Sequence, residues 1–310
     1  MQLGEVAAEG VLRLRTLMVN VYIVRTGSTW VLVDAGLAGY ARTIMEAAAE
    51  FTGSRTPPEA IILTHGHFDH IGTLHELLDR WRVPVYAHRL ERPYLNGESA
   101  YPPPDPLVGG GAMALLSRLY PRGPIDVSRH LQVLPEDGSV PVMPGWRYVF
   151  TPGHTAGHIS LFRDSDRTLI AGDAVVTVKQ ESMSAVLAQR PALHGPPAYF
   201  TQDWVAAAAS SRALAALEPE VLATGHGVVF RGGAMRQALH RLAGDFQHSE
   251  APSYGRYAHQ PAVTDEHGIV RLPPDPFPKV AAGLAAAAIA FGVMSQFGRT
   301  RRIEYRQGES

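Results

Sequence analysis

Residues His65 to His70 (His-Gly-His-Phe-Asp-His) put three imidazoles and a carboxylate into one hexapeptide, directly after the apolar run Ala60-Ile61-Ile62-Leu63. A hydrophobic strand that ends in such a cluster makes a poor core, because polar groups taken out of water are costly unless partnered. Neutral imidazole and carboxylate are the usual ligands of zinc and other borderline divalent metals. A metal held there needs further ligands from elsewhere in the chain.

The elements around the cluster read as short strands alternating with helices. Val11 to Arg15 alternates apolar and basic residues, the pattern of a half-buried strand. Asn20 to Val24, the turn Gly27-Ser28 and Trp30 to Asp34 read as a hairpin. Tyr40, Ile44, Ala48 and Phe51 recur at helical spacing up to a stop at Gly53. Behind the cluster, Ile71, Leu74, Leu77, Leu78 and Trp81 share one helical face, so the histidines sit on a strand-to-helix loop, a common place for functional groups. Further strands are expected at 83–87, 131–134, 146–151, 159–162, 169–171 and 221–224, and helices at 203–217 and 234–246. Two Pro/Gly-rich stretches, 93–125 and 178–201, interrupt this alternation, and long irregular segments inside a domain usually shape binding sites.

Three other expected strand ends carry ligand-type residues: Pro152-Gly153-His154, Gly172-Asp173 and Gly225-His226. Each follows an apolar run and a small residue, and glycine lets the backbone turn sharply beside a ligand. If those strands lie side by side, their polar ends converge on one sheet edge, where a cation would relieve their mutual repulsion.

The order His-X-His-X-Asp-His, Pro-Gly-His, Gly-Asp, Gly-His over residues 10 to 246 resembles the metallo-β-lactamase-fold hydrolase superfamily. That resemblance implies an α/β fold, a four-layer αβ/βα sandwich of two mixed β-sheets flanked by helices. It also implies two divalent metal ions, zinc first, with iron or manganese as other candidates. His65, His67 and His154 would hold one ion, Asp69, His70 and His226 the other, and Asp173 would bridge them. Two such ions roughly 3.5–4 Å apart lower the pKa of a shared water, and Asp69 is the candidate to take its proton. The stretch Thr151 to His158 looks like the glyoxalase II-like and lactonase-like branch, so a thioester or lactone is the expected small-molecule substrate. The chain has no cysteine, whereas penicillin-degrading members place one in the second site, so β-lactam hydrolysis is disfavoured. Relatives of the same fold offer two competing activities, phosphodiester cleavage and persulfide oxidation on a single iron.

Composition narrows these alternatives. A net charge of −1 and a pI of about 6.9 offer no basic tract for nucleic acid. Only Lys179 and Lys279 are lysines, leaving 28 − 2 = 26 arginines. The first residues have neither a basic start nor an apolar core, so a secretory signal is not expected and the cytoplasm is. Residues 280–297 are eighteen residues without a charged side chain, at the length threshold of a membrane span but rich in alanine and glycine. A packed helix and a tail anchor are both open there, with a soluble chain slightly favoured. The expected organisation is a hydrolase domain over 1–250, a proline-rich linker over 251–278 and an apolar, basic-ended tail over 279–310.

Among the remaining groups, Asp34 reads either as a strand-end cap or as a group that steadies a ligand histidine. His158 reads as a structural or supporting histidine. His75 is expected on an exposed helix face. Tyr199 and Lys179 fall where a substrate-contacting group could lie. The stripe Met113, Leu115, Leu116, Leu119 and Tyr120 reads as core or homodimer contact ahead of pocket lining.

Overall fold

The computed structural model describes residues 4–280. In chain order the strands of the first sheet are β1 (Glu5–Ala8), β2 (Val11–Thr16), β3 (Val19–Thr26), β4 (Thr29–Val33), β5 (Ile61–Ile62), β6 (Val85–Ala87) and β7 (Leu131–Val133). They form one seven-stranded sheet in sequence order. Pairing is antiparallel from β1 to β4 and parallel from β4 to β7. A second, five-stranded sheet contains β8 (Trp146–Phe150), β9 (Ile159–Arg163), β10 (Thr168–Ile170), β11 (Val221–Ala223) and β12 (Phe230–Arg231), in the order β12-β11-β10-β9-β8. The helices are α1 (Ala41–Thr52), α2 (Phe68–Ile71), α3 (Leu74–Trp81), α4 (Arg92–Leu95), α5 (Ala112–Leu116), α6 (Met183–Ala188), α7 (Trp204–Ala216) and α8 (Gly232–Ser249).

The near-continuous apolar runs of the central strands follow from burial on both faces. On one face Val21, Ile23, Leu32 and Ile61 pack with Ile44 of α1 and Leu74 and Leu77 of α3. On the other, Tyr22, Val24, Val31, Val33 and Ile62 meet Tyr148, Ile159, Leu161, Ile170 and Ala223 of the second sheet. The outer face of that second sheet, with Phe162, Leu169 and Leu222, packs on Trp204, Leu214, Leu239 and Phe246 of α7 and α8. Helices, sheet, sheet and helices thus make the four expected layers.

Three expectations change. β2 is buried almost throughout, Arg13 included, because the Arg13 guanidinium donates to Asn20 Oδ1 at 2.9 Å and pairs with Glu5 at 2.7 Å. The stretch 178–201 is not wholly irregular, since α6 is capped by the Ser182 hydroxyl. Residues 251–273, expected as linker, fall within the same compact unit as the rest, which runs to Pro273. Tyr257 is buried in the α7/α8 core, and β13 (Val263–Asp265) and β14 (Gly268–Arg271) form a hairpin. Proline content there reflects ordered loops.

A second unit begins at Pro274, and its described part ends in a helical turn in which Val280 N donates to Pro276 O at 3.2 Å. The expected apolar helix over 280–297 lies outside the described residues except for Val280. Among the described residues, no helix is long and apolar enough to cross a membrane.

Strand direction sets up the site. β8 and β10 both run antiparallel to β9, and β10 runs parallel to β11. The ends of β8, β10 and β11 therefore leave the second sheet at one edge, where His154, Asp173 and His226 follow. The two sheets are tied at this edge by Ile159 N to Thr64 O at 3.0 Å and Asn20 N to Gly225 O at 2.7 Å.

Candidate metal centre

All seven residues singled out in the sequence meet at that edge, and the most exposed of them, Asp69, shows only 6% of its surface. Their donor atoms form three groups, each within 4.8 Å: His65/His67/His154, His65/His70/Asp173 and Asp69/His70/His226. Asp173 joins the outer two. Its Oδ1 is 3.5 Å from His70 Nε2, and its Oδ2 lies 3.5 Å from His154 Nε2 and 3.1 Å from His226 Nε2. His226 Nε2 is 3.4 Å from Asp69 Oδ2, and His67 Nδ1 is 3.0 Å from His154 Nε2.

The arrangement fits divalent cations. The Nε2 atoms of His65, His67 and His70 and Oδ1 of Asp173 are buried without a hydrogen-bond partner. Each such atom would cost about 1–3 kcal/mol if nothing satisfied it. Imidazole nitrogen with carboxylate oxygen is the donor set that suits zinc, iron and manganese.

Supporting hydrogen bonds fix the ring orientations. Asp34 Oδ2 lies 2.8 Å from His70 Nδ1, and Asp34 also accepts from Thr64 N and Thr64 Oγ1, each at 2.8 Å. It does so from a left-handed backbone, φ 60°, which aspartate tolerates better than most residues. Of the two readings of Asp34, the steadying one matches these contacts. His226 Nδ1 sits 2.8 Å from Met18 O. His158 is no further donor to the centre, because its Nε2 accepts from Asp173 N at 2.9 Å, which leaves Nδ1–H to donate to Thr151 Oγ1 at 2.9 Å.

Electrostatics divides the cluster. Burial opposes charge on His70, yet Asp173 and Asp34 hold its pKa well above the ordinary value. Burial is outweighed likewise at His226, which Asp173 and Asp69 raise. Asp173 is held well below the usual carboxylate range by His226 and His70 despite its burial. Burial raises Asp69. His65 and His154 are pushed well below the ordinary value by burial and neighbouring imidazoles, His67 to about 3, and burial takes His158 to about 4.

A pH dependence follows for the metal-free protein. Groups with a depressed folded pKa take up protons first in the unfolded chain. Their contribution to stability is therefore lost as pH falls from about 6.5 towards the folded values near 3 and 4. The raised pair, His70 and His226, gives nothing further below about 6.5, since both chains are then protonated. Thermal unfolding in chelator should show the melting temperature dropping between pH 6.5 and 4. A flat profile would contradict these ring environments.

Close approach makes Gly225 another sensitive point. A Cβ there would stand 2.0 Å from Asp173 Oδ1 and 2.9 Å from His70 Cε1. Gly225→Ala should displace the Asp173 carboxylate and weaken metal binding about 10- to 100-fold, the usual effect of disturbing a ligand's support. Competitive metal titration checks this.

The two insertions close over the centre. Phe200 stacks on His67, with ring centroids 4.5 Å apart, and Tyr101 lies 4.6 Å from the same ring. Val108, Met113, Ala114, Tyr199 and Phe200 are buried together, with Met18, Phe68 and Tyr120 against them. The apolar stripe thus splits: Met113 and Tyr120 face this cluster, while Leu115, Leu116 and Leu119 are exposed. Tyr199 is part of the aromatic cover. Lys179 is exposed and lines a separate cavity with His194 and Glu250. His75 is exposed on α3.

Glu91, Tyr101 and Phe200 carry no signal in the sequence. Glu91 lies between Arg89 and Arg92, so its surroundings look like a charged surface turn, yet it is fully buried. Aromatic residues in Pro/Gly-rich stretches have no periodicity that would mark Tyr101 or Phe200.

The model of the metallo-β-lactamase superfamily matches residues 14–226. The chain belongs to the metallo-β-lactamase superfamily. Among its relatives, "Probable metallo-hydrolase YflN" of Bacillus subtilis (strain 168) is 52% identical over 243 residues, 77% of this chain and 92% of that protein. "Probable metallo-hydrolase YybB" of the same organism is 29% identical over 209 residues, 67% of this chain and 80% of that protein. A metallo-β-lactamase family protein from Thermus thermophilus shares the fold at a TM-score of 0.53 and 20% identity, over 77% of this chain and 80% of that one. An archaeal superfamily protein from Sulfolobus tokodaii does so at 0.51 and 19%, over 77% and 84%. As a superfamily member, this chain has its ligand-type residues on the strand ends expected from the motif order.

Proposed function

We propose that this chain is a metal-dependent hydrolase acting on a small ester-like substrate, a thioester or a lactone. The observation that carries this reading is the meeting of two donor groups, His65/His67/His154 and Asp69/His70/His226, at the one carboxylate of Asp173. Two divalent ions bound there, zinc in the first instance, would supply a water of lowered pKa and polarise the scissile carbonyl. The relatives called metallo-hydrolases support the same class.

The chain's own groups then have definite roles. Asp69, a buried carboxylate beside His226, accepts the proton of the attacking water at its carboxylate oxygen. His70 and His226 flank Asp173, and His226 also stands 3.4 Å from Asp69, so that these groups converge on one metal. The cover of Phe68, Tyr120, Tyr199 and Phe200 excludes bulk water and suits an apolar acyl or lactone ring. A net charge of −1 gives a polyanionic substrate no purchase.

The test combines metal analysis of the purified protein with a panel of thioester, lactone, β-lactam and bis-p-nitrophenyl phosphate substrates. Two zinc ions with thioester or lactone turnover are expected. One iron with oxygen uptake, or phosphodiester cleavage alone, would replace this reading.

A further inference from the structure

The Glu91 side chain is fully buried and takes four hydrogen bonds from three segments of the chain. Oε2 accepts from Gly66 N at 3.0 Å and from the Tyr101 hydroxyl. Oε1 accepts from Thr155 Oγ1 at 2.6 Å and from Gly157 N at 3.0 Å. Gly66 lies between His65 and His67, and Thr155 follows His154 directly. One carboxylate therefore clamps together the two loops that carry the His65/His67/His154 group. The hydroxyl of Tyr101, whose ring lies 4.6 Å from that of His67, extends the same clamp.

The other group is supported differently. Asp34 orients His70, and Met18 O orients His226. The hydrogen bonds of Glu91 go to neither of these histidines nor to their supports. We propose that Glu91 is a positioning residue for the His65/His67/His154 half of the centre, so that its loss weakens metal binding there more than in the other half. This rests on the metal-binding reading above.

The chemistry is restrictive. The Gly66 and Gly157 N–H groups can only donate, one to each oxygen, so the group between them must be an acceptor at both oxygens. Glutamine turns an amide NH2 towards one of those N–H groups and leaves the two donors opposed, while the neighbouring hydroxyl can rotate to accept. Charge-assisted bonds to an ionised carboxylate are also the stronger kind. The motif glycines fit the same clamp. A Cβ on Gly66 would stand 2.7 Å from the Tyr101 hydroxyl, and one on Gly157 would stand 2.8 Å from Glu91 Oε1. The glycines in His-Gly-His and Ala-Gly-His thus make room for Glu91 and Tyr101.

The experiment titrates the metal-free, full-length protein with zinc against a chromophoric chelator, and follows cobalt(II) substitution by its visible spectrum. Wild type should take two ions. Glu91→Gln should bind one ion about 10- to 100-fold more weakly and leave the other closer to wild-type affinity. In a His154→Ala background, Glu91→Gln should add nothing further. In a His226→Ala background it should still weaken the ion that remains, because the bonds of Glu91 go to the loops that carry His65, His67 and His154. Tyr101→Phe removes one donor of the four and should shift the same site less, which keeps the test open if Glu91→Gln fails to fold. Equal weakening of both ions, or two ions bound by Glu91→Gln as in wild type, overturns the proposal while leaving the hydrolase reading intact. Failure of the wild type to bind any divalent ion overturns both.

Discussion

Asp173→Asn should abolish the shared centre, lowering metal content from two ions to one or none and turnover by at least about 100-fold. The side chain keeps its shape, so the effect isolates the charge. Asp173 lies within 3.5 Å of histidine nitrogens from both donor groups. An amide offers a single acceptor, carries no charge to offset two cations, and turns an NH2 towards one of them. Metal ions that act as Lewis acids contribute several kcal/mol to the barrier, which converts to two or more powers of ten in rate. In the metal-free protein the same substitution removes the main source of the raised pKa of His70 and His226. Both should then titrate at lower pH, as imidazole NMR would read. Two tightly bound ions and unchanged titrations in Asp173→Asn would refute the bridging role.

Asp34→Ala should cost about 3–5 kcal/mol of stability, in the range for breaking a buried polar network by removing one partner. Thr64 N, Thr64 Oγ1 and His70 Nδ1 all rely on the Asp34 carboxylate. Alanine would also have to hold φ 60°, which costs a residue with a Cβ roughly 1–2 kcal/mol. Asn tolerates that backbone, so Asp34→Asn should unfold at a higher temperature than Asp34→Ala. Both should weaken the Asp69/His70/His226 half of the centre, since His70 loses its orienting carboxylate in each. Chemical denaturation of the metal-free variants reads the first effect, and metal titration the second. Equal stability of the two variants would remove the backbone part of the explanation.

The hexapeptide and the three later strand ends were legible because each couples an apolar run to a polar group, a mismatch that period and burial expose without a structure. The hairpin of β3 and β4 and the face Leu74, Leu77, Leu78 were legible for the same reason: periodicity reports which side is dry. Glu91 was not, because its partners Gly66, Thr155 and Gly157 lie 25, 64 and 66 residues away, and nothing local separates a clamped glutamate from a solvated one. Arg13 misled in the same direction, since its alternation with leucine looks amphipathic until Asn20 and Glu5 are placed beside it. Residues 251–273 misled in the other, because proline marks the absence of helix and says nothing about packing, and Tyr257 anchors them to the core.

The aromatic cover has a kinetic consequence. With every donor residue at 6% exposure or less and Phe200 stacked on His67, opening of the cover should precede entry of a substrate or a chelator. Substrate entry and metal exchange should then depend on the same opening. Residence time at this site should then depend on Tyr120, Tyr199 and Phe200 as well as on its ligands. Phe200→Ala should speed metal stripping more than it weakens metal binding.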